Sequence, residues 1–191
     1  MLLDITVEAD GWLTALPELF DNQTEDPSAY LRQAVDLAMA HYQSAADTQP
    51  ASIAIAFSDD GRVAQLNGQF RGKGRATNVL SFPDGTPAGP EPDSPIHLGD
   101  LALALETVLR EADAQKKSKK AHATHLVVHG VLHLLGYDHD NEDTALEMET
   151  IERHILAELG IGDPYEPQGP TPASGANIAD GPTKIDFSRT R

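Results

Sequence analysis

Hydrophobic positions along the chain fall into short apolar runs and longer stretches of helical spacing. The apolar and β-branched runs that predict strands span 2–7, 52–57, 77–82 and 97–103. Apolar residues three and four positions apart predict helices over 30–45, about 59–70, 105–114, 121–135 and 142–159. This order predicts an α+β domain in which a small mixed sheet of about four strands packs with about five helices, the helix over 121–135 being central.

The composition changes near residue 160. Residues 160–191 contain five glycines, five prolines and few large apolar side chains. We therefore predict one folded domain over 1–160 and a disordered, Pro/Gly-rich tail over 161–191. The chain has no apolar run long enough to span a membrane, and its first residues lack a signal-peptide pattern. A cytoplasmic location without a membrane partner is the expectation.

Charge and cysteine content limit the possible chemistry. The net charge is −16, yet nine of the 14 Lys and Arg residues lie between positions 61 and 120. A polyanion could bind there while the acidic surfaces repel it elsewhere, although acidity that merely keeps the chain soluble is the simpler interpretation. The absence of Cys excludes a disulfide scaffold, a thiol nucleophile and every Cys-ligated metal site. Any metal ligands must be His and carboxylates.

The segment HGVLHLLGYDH, residues 129–139, is a candidate metal site. His129 and His133 are four positions apart on a predicted helix, so both imidazoles lie on one face and can bind one ion at about 2.0–2.1 Å. Gly136 can adopt the left-handed conformation that ends a helix and turns the chain back towards His139. Three ligands leave a fourth tetrahedral position open, as in catalytic zinc sites. We predict one Zn2+ per chain, bound by His129, His133 and His139.

The same spacing occurs in metzincin peptidases, with one departure. Those enzymes have a glutamate after the first His as general base, whereas this chain has Gly130. Peptidase chemistry of that kind is therefore disfavoured, and the base could be Asp138 or a metal-activated water. Asp138 is equally suited to support a ligand His or to cap the turn. His122 and His125, upstream on the same helix, are expected to be structural or to face RNA.

A second motif, LNGQFRGKGRATNVLSFP at residues 66–83, alternates basic residues with glycines between a predicted helix and strand. Arg71, Lys73 and Arg75 on such a loop suit a phosphate backbone, and the glycines let a ligand approach the main chain. The loop lacks the GxxxxGK[ST] pattern of a P-loop. On its own, the motif is more typical of an ordinary solvated turn.

The two motifs, together with LGDLAL at residues 98–103, resemble the YbeY endoribonucleases in order and spacing. These are bacterial single-strand-specific RNases of ribosomal RNA processing. The resemblance covers about residues 1–160 and implies the α+β fold predicted above. It also implies that the three histidines of residues 129–139 are zinc ligands and that Arg71 is functionally critical.

From this resemblance we expect a zinc-dependent endoribonuclease in 16S rRNA 3′-end maturation and late ribosome quality control. Arg71 would act in catalysis by stabilising charge on the transition state, while Lys73 and Arg75 would bind flanking phosphates. The expected partners are single-stranded rRNA and the small ribosomal subunit, including a small-subunit ribosomal protein and an assembly GTPase. Two alternatives stay open: a zinc-dependent hydrolase of another substrate, such as a metallopeptidase, and a ribosome-associated RNA-binding module with structural zinc.

Overall fold

The computed structural model describes residues 1–20, 25–42, 50–84 and 95–166, which form one sheet surrounded by helices. The strands are β1 (Leu2–Val7), β2 (Ala51–Ser58), β3 (Val79–Pro83) and β4 (Ile96–Ala104). The helices are α1 (Gly11–Ala15), α2 (Ala29–Tyr42), α3 (Asp60–Arg71), α4 (Leu105–Ala114), α5 (Lys119–Leu134) and α6 (Glu142–Glu158), with a 3-10 helix at Pro17–Leu19. The predicted α+β class is confirmed.

The sheet has the strand order β1-β2-β4-β3. The pairs β1–β2 and β2–β4 are parallel, whereas β3 runs antiparallel to β4 along one edge. Helix α5 packs against β3, β4 and three other helices, so it is central, as predicted. The main core lies between the sheet and the helices α2 and α5, while a smaller core around Val63 and Leu80 lies beneath α3.

Three local differences from the predicted elements have physical causes. Sequence spacing did not predict α1 and the 3-10 helix, because each is shorter than two helical turns. The segment is anchored by the buried side chain of Trp12, whose indole N–H donates to the Ser58 carbonyl at 2.8 Å. Helix α5 begins two residues earlier than predicted because the Ser118 side chain accepts the Ala121 N–H. Strand β3 begins at Val79, whose N–H donates to the side chain of Asn78 at 2.7 Å.

Helix α5 approaches the sheet closely at Gly130. A Cβ at this position would lie 2.9 Å from the Leu101 Cδ2 of β4, so only glycine fits without a shift. The Ser81 hydroxyl of β3 donates to the Gly130 carbonyl at 3.4 Å. These contacts hold α5 against the edge of the sheet where β3 lies.

Residues 161–166, the described part of the predicted tail, contact the helices. The Lys117 ammonium donates to the Pro164 carbonyl at 2.5 Å, and Arg153 pairs with Asp163 at 3.1 Å. Residues 167–191 lie outside the described residues, so the predicted disorder of the tail stays a prediction. No helix in the described parts of the chain is long and apolar enough to cross a membrane.

Candidate active site

The three predicted ligands meet at the end of α5. His129 and His133 lie one turn apart with ring centroids 4.6 Å from each other. Gly136, whose φ is +90°, follows the end of α5 and turns the chain back. The centroid of the His139 ring then lies 5.1 Å from that of His133 and 5.6 Å from that of His129. One nitrogen from each of the three rings lies within 4.8 Å of the others. The structure therefore brings the three residues into one possible metal site.

Hydrogen bonds assign the tautomers of the two helical histidines. The His133 Nδ1–H donates to the Tyr137 carbonyl at 3.0 Å, and the His129 Nδ1–H donates to the Glu152 carboxylate at 2.8 Å. Each neutral ring then carries its lone pair on Nε2, and the two Nε2 atoms lie 3.1 Å apart. Two lone pairs at this distance repel unless a cation lies between them. Tetrahedral Zn–N bonds of 2.0–2.1 Å place their nitrogens about 3.3–3.4 Å apart, so the donor set fits a zinc-like cation.

The protonation state of His133 also suits metal binding. Burial lowers its pKa below the ordinary value, and the neighbouring His129 lowers it further. The neutral form, which is the form that binds a metal, is therefore favoured down to lower pH than in a free imidazole.

Sequence reasoning missed Glu152, a fully buried carboxylate on α6 that holds His129. It accepts hydrogen bonds from His129, from His125 at 2.9 Å and from the Tyr165 hydroxyl. Burial alone would raise the pKa of Glu152, but the hydrogen bonds from His125 and His129 outweigh it and bring the pKa to about 2. A charged carboxylate behind a histidine is the usual support for a metal ligand. The available signal was an acid among the apolar, inward positions of an amphipathic helix.

The other polar residues near the histidines have local roles. The Asp138 carboxylate accepts the backbone N–H of His139 at 2.7 Å, so it caps the turn, one of the roles considered for it. His122 is buried and bonds Glu111 at 3.1 Å. His125, His129 and Glu152 also lie close enough together to hold a metal. Since hydrogen bonds already join these three residues, we interpret the group as support for His129.

Arg71 lies beside the histidines although it comes from a different helix. It is the last residue of α3, and its guanidinium donates to the Ser81 carbonyl at 3.0 Å. A cleft of about 480 Å³ is lined by Arg71, Asp138 and the three histidines together. The structure thus joins the two sequence motifs in one cleft.

Lys73 and Arg75 line an adjoining cleft of about 300 Å³, of which Arg71 is also a wall. The buried side chain of Asn67 fixes their loop by donating to the Arg75 carbonyl at 2.7 Å. Gly72, with φ +68°, allows the chain to leave α3 at this point. Both side chains are exposed, as a phosphate-binding role would require.

The geometry at Gly130 bears on the peptidase alternative. In a zinc peptidase of the HExxH type, the residue after the first His carries the general base. In this chain that position faces Leu101 and Ser81 of the sheet and has no room for a side chain. The base expected of such a peptidase therefore has no counterpart at this position.

Comparison with known proteins gives consistent matches. The family model for Endoribonuclease YbeY matches residues 19–160. An Endoribonuclease YbeY of Bradyrhizobium diazoefficiens is 44% identical over 166 residues, covering 86% of this chain and 85% of that protein. One from Ruegeria pomeroyi is 43% identical over 176 residues, covering 86% and 98%. A solution structure of a Thermotoga maritima protein has a TM-score of 0.45 at 19% identity, covering 86% of this chain and 99% of that one; this similarity is too low to add an argument.

Proposed function

This chain belongs to the Endoribonuclease YbeY family, and on that premise we propose that it is a metal-dependent endoribonuclease that cleaves single-stranded ribosomal RNA. The observation that carries the proposal is the cleft that Arg71 shares with His129, His133 and His139. Three ligand atoms next to a guanidinium suit a scissile phosphate better than a neutral peptide bond. A guanidinium can donate two parallel hydrogen bonds to one anionic phosphate, and its charge is complementary to that group.

The donor set supports one divalent cation per chain, for which we propose Zn2+ held by the three histidines. When bound, such an ion would supply a Lewis acid that polarises the scissile phosphate or a water molecule. Glu152 keeps the His129 ring in the tautomer that leaves Nε2 free. The Tyr137 carbonyl does the same for His133.

Arg71 stabilises the negative charge that develops on the phosphate during cleavage. Its bond to the Ser81 carbonyl fixes the guanidinium at the cleft wall, so no reorganisation is needed when charge builds. Asp138 is the sole carboxylate among the described residues that line this cleft, so besides capping the turn before His139 it is our proposed proton acceptor, with a metal-activated water as the alternative base. Lys73 and Arg75, in the adjoining cleft, bind phosphates beside the scissile one.

The biological setting is proposed from the family alone. We place the activity in the cytoplasm, at the 3′ end of 16S rRNA and in quality control of the small ribosomal subunit. A small-subunit ribosomal protein and an assembly GTPase are the proposed protein partners. Pull-down of the full chain with purified small subunits tests this setting separately from the chemistry.

The chemistry is tested by cleavage of a single-stranded RNA with metal-stripped and zinc-refilled protein. We expect the stripped protein to be inactive, zinc to restore activity, and Arg71→Ala to lower turnover about 10²- to 10³-fold while binding weakens less. Arg32→Ala is the matched control, because Arg32 pairs with Asp26 outside both clefts.

Two results would reject the proposal in favour of an alternative. RNA that is bound but left intact by the refilled protein would favour an RNA-binding module with structural zinc. Hydrolysis of a peptide substrate by the same preparation, without RNA cleavage, would favour a metallopeptidase.

A further inference from the structure

A groove of about 370 Å³ lies on the face of the sheet that α3 covers, and two phenylalanines form part of its wall. The rings of Phe70 and Phe82 meet edge to face, with centroids 5.2 Å apart and planes inclined by 63°. Phe70 is 60% exposed, which is unusual for so large an apolar side chain. The proposed chemistry does not use either ring.

The groove is close to the proposed catalytic cleft. Successive residues of a strand point to opposite faces, so Ser81 lies on the side of the histidines while Phe82 lies on the side of α3. Phe70 directly precedes Arg71, and Arg71 is bonded to the Ser81 carbonyl. Groove and cleft thus lie on either side of the edge strand β3, and Arg71, which lines the cleft, directly follows Phe70, which lines the groove.

The groove chemistry suits a nucleobase better than a phosphate. An exposed aromatic ring beside a basic residue is a usual stacking platform for unpaired bases; here Phe70 is exposed, and the partly buried Phe82 supports it from the side. Glu8, Asp100 and Arg62 also line the groove, so two carboxylates outnumber one guanidinium. The net negative charge disfavours phosphate, and a carboxylate can accept a hydrogen bond from the amino group of a base. A nucleotide would therefore enter base first and leave its phosphate at Arg71.

On the premise that the chain cleaves RNA as proposed above, we infer that Phe70 and Phe82 form a stacking subsite. The subsite would hold the unpaired base that adjoins the phosphate bound by Arg71. The subsite would explain single-strand preference in physical terms, because a base inside a duplex cannot leave its stack without losing its pairing. It would act mainly on substrate binding, since two neutral rings do not stabilise the charge that develops on the phosphate during cleavage.

The chain itself offers a fluorescence test. Its one Trp, Trp12, is fully buried, so Phe70→Trp adds a single exposed reporter. We expect single-stranded RNA, mixed rapidly with zinc-loaded protein so that binding precedes cleavage, to quench the emission of the new side chain. An abasic ribose-phosphate oligomer of equal length should bind without quenching. Leu146→Trp is the matched control, because Leu146 is 61% exposed but lines neither groove nor cleft.

Kinetics supply the second readout. Phe70→Ala should raise the KM for single-stranded RNA by roughly 5- to 150-fold, the effect of losing one base–aromatic stack, with a small change in kcat. Phe70→Tyr should restore the wild-type KM, and the thermal midpoints of both variants should match the wild type, since the side chain is exposed.

The outcomes separate the two proposals. If the wild-type protein cleaves RNA while Phe70→Ala keeps its KM and the new Trp is not quenched, the subsite is wrong and the proposed function stands. A blue-shifted emission of that Trp before RNA is added would mean that something else already covers the rings, and would also overturn the subsite. Failure of the wild-type protein to bind or cleave RNA would remove the proposed function first.

Discussion

Replacing Glu152 by Gln should weaken zinc binding about tenfold, although Glu152 is not itself one of the three proposed ligands. The carboxylate accepts three donors, one each from His125, His129 and Tyr165. A glutamine of the same shape has one acceptor oxygen and an NH₂ group that must face at least one of these donors.

The magnitude follows from how the network can rearrange. Zinc binding requires the His129 Nδ1–H to be retained, so the amide oxygen must face His129, and the NH₂ must face both His125 and the Tyr165 hydroxyl, which can turn to accept. His125 can change tautomer at low cost, because its Nδ1 has no hydrogen-bond partner among the described residues. What remains is the loss of charge behind His129. A hydrogen bond to a charged group contributes about 1.5–3 kcal/mol and a neutral one about 0.5–1.5 kcal/mol, so the loss is about 1–1.5 kcal/mol, or roughly tenfold in affinity.

The assay is competition for zinc against a chromogenic chelator, with thermal unfolding of the loaded protein as a second readout. Glu152→Ala should weaken binding further, by about 100-fold, the upper end for residues that support a metal ligand. Glu149→Gln is the matched control, because Glu149 lies on the same helix, is partly exposed and pairs with Arg153. Zinc affinity of Glu152→Gln within twofold of the Glu149→Gln protein would refute the reasoning, as would equal affinities for the Gln and Ala variants.

Three further predictions concern binding, packing and acid stability. Binding to single-stranded RNA should weaken with salt at a slope of about −0.7 per phosphate contact; Lys73→Ala should flatten the slope in titrations, and loss of the lysines within 116–120 should not. Gly130→Ala, which puts a methyl group 2.9 Å from a leucine of β4, should lower the free energy of unfolding in urea by about 1 kcal/mol, and an unchanged value would contradict the packing. A hydrogen bond from Arg32 helps lower the pKa of Asp26 from 3.8 to about 2, so its contribution is present above pH 4 and lost as the pH falls towards 2; Asp26→Asn should flatten acid-unfolding curves over that range.

Local sequence spacing predicted the parts of the site that lie on one element. The histidines of α5 follow from helical geometry, and the turn at Gly136 follows from the conformational freedom of glycine. The bounds of α4 agree with the predicted 105–114 because its apolar spacing is strong and its neighbours are a strand and a polar run.

Contacts between distant elements could not be read from spacing. Glu152 is 23 residues from the His129 that it holds, and nothing in the sequence shows which buried acid lies opposite which helix position. The proximity of Arg71 to the histidines depends on the pairing of β3 with β4, which places Ser81 next to α5. Family resemblance implied a functional role for Arg71 as well as for the histidines, whereas periodicity gave no sign that the two motifs act together.

The short segment after α6 has a consequence for where the chain can be shortened or extended. Tyr165 reaches back to Glu152, and Pro164 is held by Lys117, although the family match ends at residue 160. A protein cut after Gly160 would keep every proposed ligand but admit water to the carboxylate behind His129. Water would raise the local dielectric constant and weaken the electrostatic interaction by which the Glu152 carboxylate orients the His129 ring. We therefore expect tags and fusions to be tolerated better beyond residue 166, because the contacts that enclose this carboxylate extend past the end of the family match.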